Sequence, residues 1–219
     1  LDCNEPEKIA LYPSLKSLSR TRAGLPTLPM RIHTGRLLLT PSDPLLAVDP
    51  ATLHDALGEI GFIGDPLTHL DGDCPASQRF LAGEHFLNLL AFAGCSVNLS
   101  LDEPGDGSPF THVRLLGPLA APLLLHGRNT RPPRCPLCRA LHRDWARILK
   151  GHPNQHLTCP ACGSSRPSWN WDWKDKAGYG RSFVWVEEVF PGEAEPTPSL
   201  LAALEATTTS PWRRFYVQD

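Results

Sequence analysis

No stretch of this 219-residue chain is a continuous apolar run long enough to span a bilayer. The longest, Leu115–Leu125, is interrupted by Gly117, Pro118 and Pro122, so no membrane partner is expected. Leu1–Ala10 carries acids and lacks the apolar core of a secretory leader, which points to the cytoplasm. Motifs that would announce an enzyme are also missing. There is no Gly-x-Ser-x-Gly, no phosphate-binding P-loop and no dinucleotide fingerprint. The nine histidines are scattered, with no His-Glu-x-x-His or His-x-His pair to hold a catalytic metal. Neither sign of charge dominates, since 21 Lys and Arg stand against 23 Asp and Glu.

The composition that remains suits a globular chain, 41% hydrophobic and 20% charged, long enough to bury a core in one or two domains. Its 23 prolines are about twice the average usage and predict many short elements joined by irregular chain. Residues 1–30 have weak periodicity and are expected to form an extended arm. Arg31–Thr40 reads as a strand closed by Pro41, and Thr52–Ile60 as a short helix with Pro50 near its first turn. Ser77–Ala93 is expected to be a core helix, with Phe80, Leu87, Leu90 and Ala91 on one face and Gly94 as its stop. Val97–Leu101 and Thr111–Leu116 read as strands around a Gly-rich turn, and Leu119–His126 as a further strand. Arg181–Phe190 reads as a strand, Ser199–Ala206 as a helix and Phe215–Val217 as a terminal strand. The fold class is therefore α+β. The expected organisation is an arm (1–30), a small mixed domain (31–127), a cysteine-bearing segment (128–190) and a tail with a short helix (191–219).

Cysteine supplies the sharpest signal. Cys135-Pro-Leu-Cys138 and Cys159-Pro-Ala-Cys162 are matched pairs with two residues between their sulfurs. Two such turns aim four thiolates at one point, which suits a single tetrahedral Zn2+ ion better than a disulfide, a redox pair or an iron–sulfur site. Such a site has no open coordination position, so the metal is expected to be structural. Gly163 follows the second pair, where the chain is expected to need φ > 0. Thiolate ligands also argue for a reducing cytosol, with Cys3, Cys74 and Cys95 left as free thiols.

On Cys135, Cys138, Cys159, Cys162 and Gly163, the segment from about Arg131 to Phe190 resembles the zinc-ribbon superfamily. The resemblance implies knuckles on short β-hairpins and one zinc ion. The superfamily includes nucleic-acid binders, protein-contact modules and plain structural clips, so no single activity follows. The stretch between the knuckles departs from the pattern, because it reads as a helix.

Charge is segregated along the chain. Residues 1–127 carry eight Lys and Arg against fourteen Asp and Glu, whereas residues 128–181 carry eleven against three. On a helix from Arg139 to Lys150, Arg139, Arg143, Arg147 and Lys150 would share about an 80° arc, opposite Leu141, Trp145, Ile148 and Leu149. With Arg128, Arg131 and Arg134 before it, this stripe is a candidate contact for phosphates or for an acidic protein; the bland alternative is a solvated face. Trp169, Trp171 and Trp173 alternate and would share one face of a strand. Burial in a small core is the simpler expectation for them, and an exposed set would be a docking or base-stacking face.

These observations together suggest a zinc-binding, non-enzymatic adaptor or accessory subunit. It would dock another protein, in a larger complex, through the basic helix and the Trp face. A nucleic-acid-binding protein using the basic stripe is the alternative. A third possibility is an enzyme, or an essential subunit of one, using the polar loop of His69, Asp71, Asp73 and Cys74.

Overall fold

Three consecutive leucines between Arg36 and Thr40 leave no polar face to turn to water, and Gly35–Pro41 forms a strand (β1) buried at every residue. The structure is a computed structural model and describes residues 35–68, 76–93, 99–105 and 108–218. The expected arm, the loop His69–Cys74, and Cys3, Cys74 and Cys95 lie outside the described residues.

Helix α1, Pro50–Glu59, begins two residues before the expected start. Asp49 caps it, its Oδ2 accepting from the Thr52 N–H at 2.9 Å, and Pro50 occupies the first turn. Strands β2 (Ile63–Pro66), β3 (Ser77–Ala82), β4 (Leu90–Phe92), β5 (Val113–Leu116) and β6 (Leu123–His126) follow. Helix α2, Trp145–Leu149, is a short helix between the two cysteine pairs. Then come β7 (His156–Thr158), β8 (Ser165–Pro167), β9 (Ala177–Gly180), β10 (Phe183–Glu187) and β11 (Ala194–Pro196). Helix α3 is Pro198–Ala206, and β12 is Trp212–Gln218. Three helices and twelve strands make an α+β protein.

Ser77–Ala93 is not a helix. It divides into β3, a 3-10 turn at Phe86–Asn88 and β4. Helical spacing of its apolar residues is outweighed by pairing, since β3 is hydrogen-bonded to β5 on one side and β2 on the other. Gly83 turns the chain against Gly61, and a Cβ there would collide with the Gly61 carbonyl. Leu99–Leu101 is not a strand either, and Val97 lies outside the described residues.

Six strands form one antiparallel sheet in the order β12-β1-β10-β5-β3-β2. One face carries Leu37, Leu39, Val113, Leu115, Val184 and Val186, and packs on Leu53 and Leu57 of α1 and Leu200 and Leu204 of α3. The other carries Leu38, Leu116, Phe183, Trp185, Phe215 and Val217, and packs on Leu119, Leu123 and Leu125. The sheet thus takes strands from residues 31–127, from the cysteine-bearing segment (β10) and from the expected tail (β12). The boundaries anticipated at 127 and 190 do not divide it. A two-stranded ladder, β6–β9, leads from this sheet to a third cluster around the cysteine pairs.

Candidate metal centre

The two cysteine turns share one backbone design. Cys135 N–H donates to the Ala140 carbonyl at 2.8 Å, and Arg139 N–H donates to the Cys135 carbonyl at 3.0 Å. In the second turn Cys159 N–H donates to Ser164 at 2.8 Å and Gly163 N–H donates to Cys159 at 3.0 Å. The residue after the second cysteine has positive φ in both, 65° at Arg139 and 71° at Gly163. Gly163 takes that conformation freely, as the sequence suggested; Arg139 takes it at a steric cost.

The first cysteine of each pair, Cys135 and Cys159, is buried, and the second, Cys138 and Cys162, is exposed. Cys135 Sγ lies 3.8 Å from Cys162 Sγ, Cys138 Sγ lies 3.5 Å from Cys159 Sγ, and all four sulfurs are within 4.8 Å of one another. A tetrahedron of sulfurs around one ion with metal–sulfur bonds of about 2.3 Å has edges of about 3.8 Å. No pair sits near the roughly 2.0 Å of a disulfide. The four sulfurs therefore fit one metal ion. Among the described residues they are the only cluster of three or more His, Cys, Asp or Glu able to do so.

Their acidity fits the same purpose. The Cys138 N–H draws the Cys135 thiol down to about 6 against the effect of burial. The Cys162 N–H likewise lowers Cys159. For Cys138, the Ala140 N–H pulls down, but hydrogen bonding with Cys159, burial, and bonds to Cys162 and Cys135 push the thiol up to about 12. Four sulfurs this close cannot all carry negative charge unaided, and a divalent cation supplies the compensation.

Aromatic side chains brace the centre from behind. Trp171 and Trp173 are 4% and 3% exposed, and Trp169 packs partly buried beside them. The three indoles do not lie on a strand. A 3-10 turn at Ser168–Asn170 and a further bend displace them, and no docking face of three indoles exists. Trp173 stands edge-on to Trp145 at 5.0 Å and donates through Nε1 to the Ser168 carbonyl at 2.9 Å. Tyr179 Oη and Ser168 Oγ both donate to the Pro153 carbonyl, at 2.6 and 2.7 Å. His142, which the sequence did not mark as important, is 5% exposed and spans the two turns. Its backbone N–H donates to Pro133, and its Nε2 lies 3.1 Å from the Thr158 carbonyl.

The expected helix Arg139–Lys150 is mostly absent. Arg139 belongs to the cysteine turn, Leu141 forms a bridge with Arg134, and only Trp145–Leu149 is helical. The 80° stripe is lost with it. All seven cations nonetheless reach solvent: Arg128, Arg131, Arg134, Arg139, Arg143, Arg147 and Lys150 are exposed. Arg139 pairs with Asp172 at 2.7 Å, and Asp172 also takes Lys174 at 2.9 Å. Leu137, between Cys135 and Cys138, is 62% exposed.

A second constellation escaped the sequence. On the large sheet, Arg36 Nε donates to Glu187 Oε2 at 2.9 Å, and Arg114 Nη2 lies 3.7 Å from Oε1. Both guanidiniums lie against Trp185, 5.1 and 5.5 Å from its centroid. The available signal was a single charge inside each of three apolar strands.

No protein-family model matches the chain, and neither a search of curated proteins nor one of solved structures returns a match. The likeness to zinc ribbons rests on the cysteine pattern and its geometry. Among the described residues, no helix is long and apolar enough to cross a membrane.

Proposed function

We propose that this protein is a zinc-binding, non-enzymatic adaptor or accessory subunit that docks an acidic surface of another protein within a larger complex. The observation that carries this reading is the exposure of seven cations in and around the four-cysteine segment: Arg128, Arg131, Arg134, Arg139, Arg143, Arg147 and Lys150. Four thiolates close the coordination sphere of one Zn2+, so the ion clamps the two turns and takes no substrate. Soft sulfur donors favour zinc over hard cations, and a reduced four-thiolate site suits the cytoplasm. Leu137 at the tip of the first turn offers an apolar anchor among the charges. Nucleic acid is the weaker alternative, because burial of Trp171 and Trp173 removes the stacking platform and leaves phosphate contacts alone.

The test is affinity purification of the full zinc-loaded chain, coupled to mass spectrometry and elemental analysis. One zinc per chain and a stoichiometric acidic protein partner are expected. The partner should be lost from an Arg139→Glu, Arg143→Glu, Arg147→Glu triple variant. Nucleic acid bound with a steep salt dependence would replace the protein-docking reading. A clean monomer that turns over a small molecule would overturn both.

A further inference from the structure

Arg79 is buried, 6% exposed, yet no carboxylate pairs with it among the described residues. It lies on β3 directly opposite Arg114 of β5, so two guanidiniums face each other across a ladder position where like charges repel. Glu187 is engaged by Arg36 and Arg114 on the neighbouring strands. The printed partners of Arg79 are neutral acceptors: His112 Nε2 at 3.3 Å from its Nε, and the Thr68 carbonyl at 3.4 Å from its Nη1. His112 Nδ1 lies 3.0 Å from the Phe110 carbonyl, so the imidazole that donates there presents a bare Nε2 to Arg79. Burying a guanidinium without a counter-charge is costly, and it cannot shed its proton. Ser77 lies two residues earlier on the same face, 3% exposed, and its Oγ has no hydrogen-bond partner.

These two side chains stand at an opening. Strand β2 ends at Pro66, and beyond it a cleft of about 670 Å³ runs between the start of α1 and the β2–β3 edge. Ser77 and Arg79 border it, as do the apolar Ala51, Leu67 and Phe80. A charged fork, a free hydroxyl and an apolar wall together suit a small organic molecule ending in an oxyanion.

We propose that this cleft is a binding site for a small organic oxyanion, whose carboxylate or phosphate head takes Arg79 and Ser77 and whose apolar body lies along Leu67 and Phe80. The site is separate from the cysteine turns and does not depend on the docking function proposed above.

The test uses the full zinc-loaded chain titrated calorimetrically with inorganic phosphate, phenyl phosphate, acetate, hexanoate and benzoate. Saturable binding is expected, with the apolar members binding more tightly than phosphate or acetate. A carboxylate preference or a phosphate preference identifies the head group. Arg79→Met, which keeps the length of the side chain, should weaken the best ligand about tenfold or more. Arg79→Lys, which keeps the charge and the fold but loses the fork, should weaken it by a smaller factor. Ser77→Ala should weaken it several-fold. Absence of saturable binding by every probe overturns the site. So does equal affinity in the wild type, Arg79→Met and Arg79→Lys.

Discussion

The large sheet and the cysteine-bearing module are held together by different means. The helix-covered face of the sheet contributes to a cluster of twenty-one buried apolar residues, which is enough burial to stabilise a fold without help. The cluster behind the cysteines has ten members, and two of those are Cys135 and Cys159 themselves. Its strands are three or four residues long and its helix five. Hydrophobic burial on that scale does not offset the entropy of ordering the chain, so the remainder must come from the metal. The sheet is predicted to outlast the ion and the module to depend on it.

Removing the metal is the harshest way to test that contrast. Chelation, or Cys159→Ser, should unfold the region around residues 131–180 and leave the sheet intact, since β10 and β12 are anchored to β1. Four of the six tryptophans (Trp145, Trp169, Trp171 and Trp173) lie in the module, and Trp185 and Trp212 in the sheet. Fluorescence should therefore shift for the first group, while amide exchange in the sheet stays slow. Unchanged emission after chelation would sink the idea.

Glu187→Ala attacks the other side of the comparison. It leaves Arg36 and Arg114 buried without their shared carboxylate and should cost about 3–5 kcal/mol in urea unfolding of the sheet, with zinc content unchanged. Acid should act similarly. Burial raises the Glu187 carboxyl, but Arg36 and Arg114 outweigh it and hold the group below its ordinary 4.5. Its contribution is then complete above pH 4.5 and lost as pH falls through the lower folded value. Burial holds His112 below its ordinary 6.5, so protonating it begins to destabilise the sheet below that pH. The Glu187→Ala variant should lack the lower of these two acid steps.

Leu37→Ala, in the middle of β1, should cost about 3 kcal/mol by leaving a cavity between the sheet and its helices, again without loss of metal. The smallest effect is expected at Arg139→Gly. It relieves a positive φ at the cost of an exposed ion pair with Asp172, and should stabilise the module by about 1 kcal/mol or less, read as slower zinc release to a chelator. Faster release would mean that the ion pair outweighs the strain.

The cysteine turns were legible in the sequence because their chemistry is local. Pro-x-Cys-Gly spacing sets four sulfurs and one positive φ without reference to the rest of the chain. Helices α1 and α3 were legible for the same reason, through Pro50 and Pro198 at their starts. Ser77–Ala93 was not, because Phe80, Leu87, Leu90 and Ala91 satisfy a helical period by coincidence, and the decision lay in pairing with β5 some thirty-five residues away. The basic stripe failed similarly. Its periodicity assumed a helix through Arg139 and Arg143, but the first turn's own hydrogen bonds claim the chain until His142.

The sequence by itself determined the four-sulfur site, the α+β class and the cationic character of the middle segment, since each follows from residue chemistry at short range. Only the tertiary structure decided that Trp171 and Trp173 are buried, and that one sheet joins β1 to strands from the last third of the chain. It alone brings Arg79 opposite Arg114. Cross-strand neighbours are set by which faces can be buried together, a property of the whole fold rather than of any one stretch.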